Sequence, residues 1–249
     1  PRNDQYQLFT SYTRNNPDSS NSTLGQVGIR RSTAVGHIRL SLSFRYQRED
    51  FTVAGQSGLT DLFIPEVDLS QVTADNRLFT HNGQRWRFSL EGSDGLLSDF
   101  AFIQPHVSGK LIRSFGDARL ILRGEGAWSA AKLSDLPASL RFFAGGDQSV
   151  RGFGYETLGP RNAQGQLTGG RKLLVGSVEA DYPVSDKWRV AAFFDAGNAF
   201  DDFSEPLRKS VGIGIRRITP IGPVRVDLAH PVLGSDRGFR LHITLGPDL

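Results

Sequence analysis

Cysteine and methionine are both missing from this chain of 249 residues. The first absence excludes a disulfide framework, a thiolate metal site and a thiol nucleophile, and it suits an oxidising compartment. The second means that the stretch cannot begin at its own start codon. Its opening Pro1-Arg2-Asn3-Asp4-Gln5 has no signal-peptide apolar region, so the expectation is a processed chain or a fragment. No run reaches the ~18 apolar residues that a transmembrane helix needs. No block of one charge sign stands out either. The net charge is +3 and Lys and Arg are scattered singly, so no nucleic-acid partner is expected. The histidines at 37, 81, 106, 230 and 242 lack metal-ligand spacing, and no metal or cofactor is expected. There is no Gly-x-Ser-x-Gly elbow, and the Gly-rich Ala144 to Gly154 lacks the Lys-Ser/Thr of a phosphate loop. A catalytic arrangement across strands stays open, but the weight falls on a protein that is not an enzyme.

What is present is period-2 alternation. In His37 to Arg48, Ile38, Leu40, Leu42, Phe44 and Tyr46 share one face, and His37, Arg39, Ser41, Ser43, Arg45 and Gln47 the other. That is a strand with one apolar and one strongly polar side. About twelve such segments can be drawn, near 5–15, 23–34, 37–50, 60–74, 83–93, 99–115, 118–130, 172–184, 187–200, 209–219, 222–232 and 238–247. Most have the ~10 residues of a tilted strand that crosses a membrane. Tight turns at 34–36, 115–117, 185–187 and 220–222, and a somewhat longer link at 75–83, alternate with long polar loops at 15–22, 50–60, 92–99, 130–171, 201–207 and 233–238. Short turns at one end and long loops at the other are the pattern of an up-and-down outer-membrane barrel. A soluble sandwich would also alternate. It would not need so many long strands, an Arg-rich polar face, or apolar faces ending in Tyr46, Trp128, Tyr182 and Trp188, as in an interfacial aromatic girdle.

The stretch Phe142 to Pro160 breaks the alternation. It is too rich in Gly for a strand, yet it carries Phe142, Phe143, Phe153 and Tyr155, which a floppy linker would not need. Long loops with their own aromatic packing are usually functional. Alternation on the two strands that follow puts Ser177 and Glu179, then Arg189, Phe193 and Asp195, on the polar side. An Arg at the loop tip would find counter-charges there, and its planar fork suits a carboxylate.

Val150-Arg151-Gly152-Phe153, in a long loop between two such strands, resembles the signature of the BamA-like outer-membrane assembly superfamily. The string Leu140 to Ser149 and the ending Leu245-Gly246-Pro247-Asp248-Leu249 are similar to its TamA branch. The resemblance implies an all-β fold, an antiparallel up-and-down transmembrane β-barrel of about sixteen strands, of which this chain supplies about twelve. Residues 1–249 would then be barrel, starting at about the fifth strand, without the first strands and the upstream POTRA domains. The loop of about 131–171 would fold into the lumen. Within it, Val150, Arg151, Gly152 and Phe153 would form a lock, with Asp195 and Glu179 as lumen acids and Phe193 and Gly197 as the strand motif Phe-x-Asp-x-Gly. Asp236 to Ile243 fits an outer-membrane β-signal pattern. Gly238, Phe239, Leu241 and Ile243 would serve as terminal-strand signal and as half of a weak first/last seam, which Gly246-Pro247 would end. The implied protein is a Gram-negative outer-membrane insertase or translocase subunit. Its clients would be unfolded outer-membrane proteins of autotransporter type, which add a strand at the seam, and it would work with a TamB-like partner reached through the upstream domains, in contact with outer-membrane lipid. The alternatives are BamA itself, a two-partner secretion transporter, or a passive outer-membrane pore.

Overall fold

The computed structural model describes residues 4–15, 20–202, 205–232 and 238–249. Twelve strands form one antiparallel sheet in which every strand pairs with its neighbours in sequence. They are β1 Gln5–Asn15, β2 Ser20–Val35, β3 Ile38–Val53, β4 Gln56–Ala74, β5 Gly83–Ser93, β6 Phe102–Phe115, β7 Ala118–Trp128, β8 Lys172–Pro183, β9 Trp188–Phe200, β10 Arg208–Arg217, β11 Val224–Pro231 and β12 Arg240–Leu245. The helical content among the described residues is one 3-10 turn, Ala138–Leu140. β1 and β12 each have one neighbour among the described residues, so the sheet has two edges there.

The burial pattern is inside out relative to a soluble protein. Arg119 and Arg216 head the fully buried large side chains, while Leu174, Val178, Tyr182, Ile213 and Ile243 are exposed. On β3 the exposed Leu42 and Phe44 alternate with buried Ser41, Ser43 and Gln47. Lipid takes an apolar face, and only a hydrated or protein-filled lumen takes the charges. Trp128, Tyr182 and Trp188 lie on the exposed side. The sheet is built to stand in a membrane, lipid on one face and a polar interior on the other, and its strands run the up-and-down course that the alternation predicts.

Most boundaries fall within three residues of expectation, and three departures have a visible cause. The polar stretch 50–60 is a hairpin, because β3 runs to Val53 and β4 starts at Gln56. Ala54 (φ 52°) and Gly55 (φ 83°) form its two-residue tip, the both-positive geometry that matches strand twist. The tip is extended because Phe51 and Val53 are buried rather than solvated. β6 begins at Phe102 rather than 99, since Asp99 and Ser98 instead bond the backbone of β4 at Asp61 and Phe63. β12 begins at Arg240, so Gly238 and Phe239 precede its ladder, and the Phe239 ring packs on His230 instead. Asp236 and Arg237 lie outside the described residues.

The connection 129–171 lies on the polar face. Its outer part shares a core of Leu136, Leu140 and Ala131 with Leu62 and Ile64 of β4 and Phe102 of β6. Ser139 donates from its backbone N to Glu49 of β3 at 3.1 Å. Arg141 donates to the carbonyls of Leu136 and Thr168 and to Gln56 at the hairpin tip. Burial pushes the Arg141 guanidinium down to about 10, with Glu49 pulling the other way.

Candidate functional site

Strand register sets the site. Ser177 of β8 faces Asp195 of β9, which faces Ser210 of β10. One row along, Glu179 faces Phe193, which faces Gly212. Gly214 faces Asp227 of β11, which faces His242 of β12. All these side chains project to the polar face. The glycines are steric requirements. A Cβ at Gly212 would collide with the Phe193 ring, and one at Gly214 with Asp227 and Arg216. Bare backbone on β10 therefore lets Phe193 lie flat over it.

The loop tip descends onto this surface. Gly145 and Gly146, at φ 104° and 102°, turn the chain. Val150 and Phe153 are buried with Ala144, Leu158 and Val175. At Gly152 a Cβ would meet Ser210 Cβ at 2.5 Å and Pro231 N at 3.0 Å, so only glycine lets the tip sit this close. Arg151 is thereby held over Phe193, its guanidinium carbon 3.4 Å from the ring centroid. Its backbone N donates to Asp195 Oδ2 at 3.0 Å, its Nε to the same oxygen at 2.9 Å, and its Nη2 to Oδ1 at 2.8 Å. Nη2 also donates to Ser177 Oγ at 3.2 Å, and Nη1 to Glu179 Oε2 at 2.8 Å and Asp227 Oδ2 at 3.2 Å. Every N–H of the guanidinium has an acceptor, the condition under which a buried charge is tolerated. Arg216 completes the set by donating to Glu179 at 2.7 Å and Asp227 at 2.5 Å. Two cations thus share three carboxylates. Arg123 of β7 adds a third positive charge nearby and donates to the loop carbonyl of Ser149 at 2.9 Å. Finally, His242 Nε2 donates to the Arg151 carbonyl at 2.6 Å.

Val150 to Phe153, Asp195, Glu179 and Phe193 therefore converge. Gly197 lies higher on β9, where a Cβ would meet Leu174 O at 2.8 Å, and its part is close β8–β9 packing. Leu241 and Ile243 point to the lipid side, away from the cluster. Asp227, Arg216 and His242 belong to the site but were not singled out by sequence reasoning. Alternation does put Asp227 inward, and the Gly-x-Gly at 212–214 marks a position of close approach. Register alone decides which lumen charges meet.

A second network lies at the short-turn end. Arg119 donates to Asp181 (Nε to Oδ1, 3.1 Å), to the Thr80 carbonyl at 2.7 Å and to Asp248 at 2.9 Å, with its guanidinium 3.8 Å over the Phe79 ring. Arg189 Nε donates to the same Oδ1 of Asp181 at 2.7 Å. Burial pushes the Asp248 carboxyl up, but Arg119 and Arg225 outweigh it and hold it below the usual carboxylate range.

The family model described as the Omp85 superfamily domain matches residues 2–247 of this chain. The chain belongs to the Omp85 superfamily. A curated relative, the outer membrane protein assembly factor BamA of Nitratidesulfovibrio vulgaris, is 26% identical over 181 residues, 68% of this chain and 23% of that protein. The crystal structure of BamA from Haemophilus ducreyi lacking POTRA domains 1–3 superposes with a TM-score of 0.80 at 16% identity, over 99% of this chain and 59% of that one. The second likeness is one of fold. This Omp85 domain spans about a quarter of the curated relative and less than two thirds of the solved chain, in which the same barrel architecture recurs.

Proposed function

We propose that this Omp85 domain is the barrel of an outer-membrane insertase or translocase of the TamA type. Its role is to assemble or secrete autotransporter-type β-barrel clients without catalysing a reaction. On this reading 1–249 is the transmembrane part of a longer protein. Upstream POTRA domains contact a TamB-like partner, and earlier strands complete the barrel. The terminal strand forms half of a seam at which a client strand adds to free backbone N–H and C=O groups. Val150 to Phe153 act as a lock on the lumen wall.

The observation that carries the reading is the reach of Arg151. One loop residue is bonded to β8, β9 and β11 through its side chain and to β12 through its carbonyl. A passive pore has no use for such a tie. An assembly barrel, whose last strand must stay in place yet be able to yield, does. Superfamily membership and the relative described as an outer membrane protein assembly factor support the same reading.

The test uses the full-length protein with Arg151→Ala, and Arg151→Lys as a charge-preserving control. Expected is a barrel that still shows heat-modifiable gel mobility but assembles an autotransporter-type client at least tenfold more slowly, with Lys restoring little because a point charge cannot replace the fork. Full-rate assembly by the Ala variant would sink the lock. The number of POTRA domains upstream separates the TamA reading from BamA and from two-partner secretion.

A further inference from the structure

The segment after β12 turns back beneath the sheet. Asp248 accepts from Thr80 N at 3.0 Å, from Arg119 Nη1 at 2.9 Å and from Arg225 Nη2 at 2.6 Å, while Lys110 Nζ donates to its carbonyl at 2.6 Å. These groups come from the β4–β5 link, β7, β11 and β6 in turn. The side chain is 1% exposed. Arg119 is itself clamped by Asp181 and Phe79, so the receptor for this carboxylate is rigid. The path to it is made by Gly222 (φ 109°), where a Cβ would meet the Gly246 carbonyl carbon at 2.7 Å and Pro247 N at 3.0 Å.

The strand that precedes this anchor has, among the described residues, a single tie to the loop tip, His242 to the Arg151 carbonyl, so opening its far end means breaking that bond. β12 has six residues, pairs with β11 alone among the described residues, and turns Leu241, Ile243 and Leu245 outward. Between strand and anchor stands Gly246, at φ 144°, with open space where a side chain would be. That is a backbone state glycine enters freely and other residues resist.

We propose that Asp248 is a fixed pivot. It pins the lower end of β12 to the wall formed by β6, β7 and the β4–β5 link, so that the strand opens from its Phe239 end by turning about Gly246. Asp248 is a positioning residue, acting through β12. The geometry stands alone; its consequence for clients rests on the seam proposed above.

The test reads strand mobility without any client. The test places single spin labels through Leu245→Cys, Ile243→Cys, Leu241→Cys and Phe239→Cys in the full-length protein in lipid vesicles, with any cysteine outside these 249 residues, which have none, replaced by serine. Expected is a gradient, with the label at 245 immobile and the one at 239 at least twofold more mobile. Asp248→Asn should free the label at 245, and Gly222→Val should do so without touching a charge. A flat profile in the parent, or a 245 label indifferent to both substitutions, overturns the pivot. Heat-modifiable mobility of each variant identifies any that has lost its barrel, and the remaining variant then decides. If both variants free β12 while client assembly is unchanged, the pivot stands and the seam reading falls.

Discussion

At the scale of the residue, Arg151 illustrates what a buried ion pair does. Desolvation offsets most of the attraction, so the cluster is weak evidence of net stability, whereas removing one partner leaves carboxylates stranded at a cost of ~3–5 kcal/mol. What the cluster supplies is position, because acceptors from three strands fix one guanidinium. Asp195→Asn should therefore lower the urea midpoint of the barrel in vesicles and expose the loop 129–171 to protease; an unchanged midpoint and an uncut loop would contradict the pairing. Asp248 offers a pH test with a definite sign. Its carboxyl is held below the ordinary range in the fold, so its contribution is complete above the unfolded pKa of about 4 and disappears as pH falls through the lower folded value. Its facing groups are Arg119, Arg225 and Lys110, with Asp181 behind Arg119. The spin label at 245 should stay immobile from pH 7 to about 4 and loosen below that; mobility already high at pH 6 would be wrong for a paired carboxylate.

At the scale of the element, the alternation of apolar and polar residues made the strands legible, since lipid and lumen impose opposite demands on successive side chains. Leu174 to Tyr182 and Val190 to Ala196 could be assigned faces residue by residue on that basis. The β3–β4 tip was hidden because Asp50 to Thr60 is polar and carries Gly55 and Gly58. The strand pair continues there past the lipid, with Phe51 and Val53 buried and the tip hydrogen-bonded to the loop through Gln56 to Arg141 and Ala54 to Asn162. Ala54 is a poor tenant of its left-handed backbone, so Ala54→Asn should stabilise the hairpin by about 1 kcal/mol. Urea unfolding from lipid vesicles reads this directly, and an unchanged midpoint would contradict the turn assignment. The cluster proposed as a lock was half legible. The loop motif and the inward acids 179 and 195 could be found by counting. Asp227 and His242 also fall on the inward face by counting, but their meeting with Arg216 and the loop tip could not be read, because it depends on the stagger of four strands, which a one-dimensional pattern does not encode.

At the scale of the whole molecule, an inverted barrel wall carries the connection 129–171 on its polar face, where we propose it acts as a plug. The outer face is apolar for lipid, the inner face is charged, and the connection 129–171 covers that inner face from the hairpin tip at Gln56 down to Arg151. The terminal strand hangs between two internal ties, His242 to the loop tip and Asp248 to the opposite wall. This places the loop's hold on the lumen at the centre of the account. Planar-bilayer recording on the full-length protein tests it most directly, comparing the parent with Arg151→Ala. The account predicts low, quiet conductance for the parent and frequent large openings, at least tenfold more open time, for the variant. Equal conductance in the two, whether both are closed or both are steadily open, would contradict it.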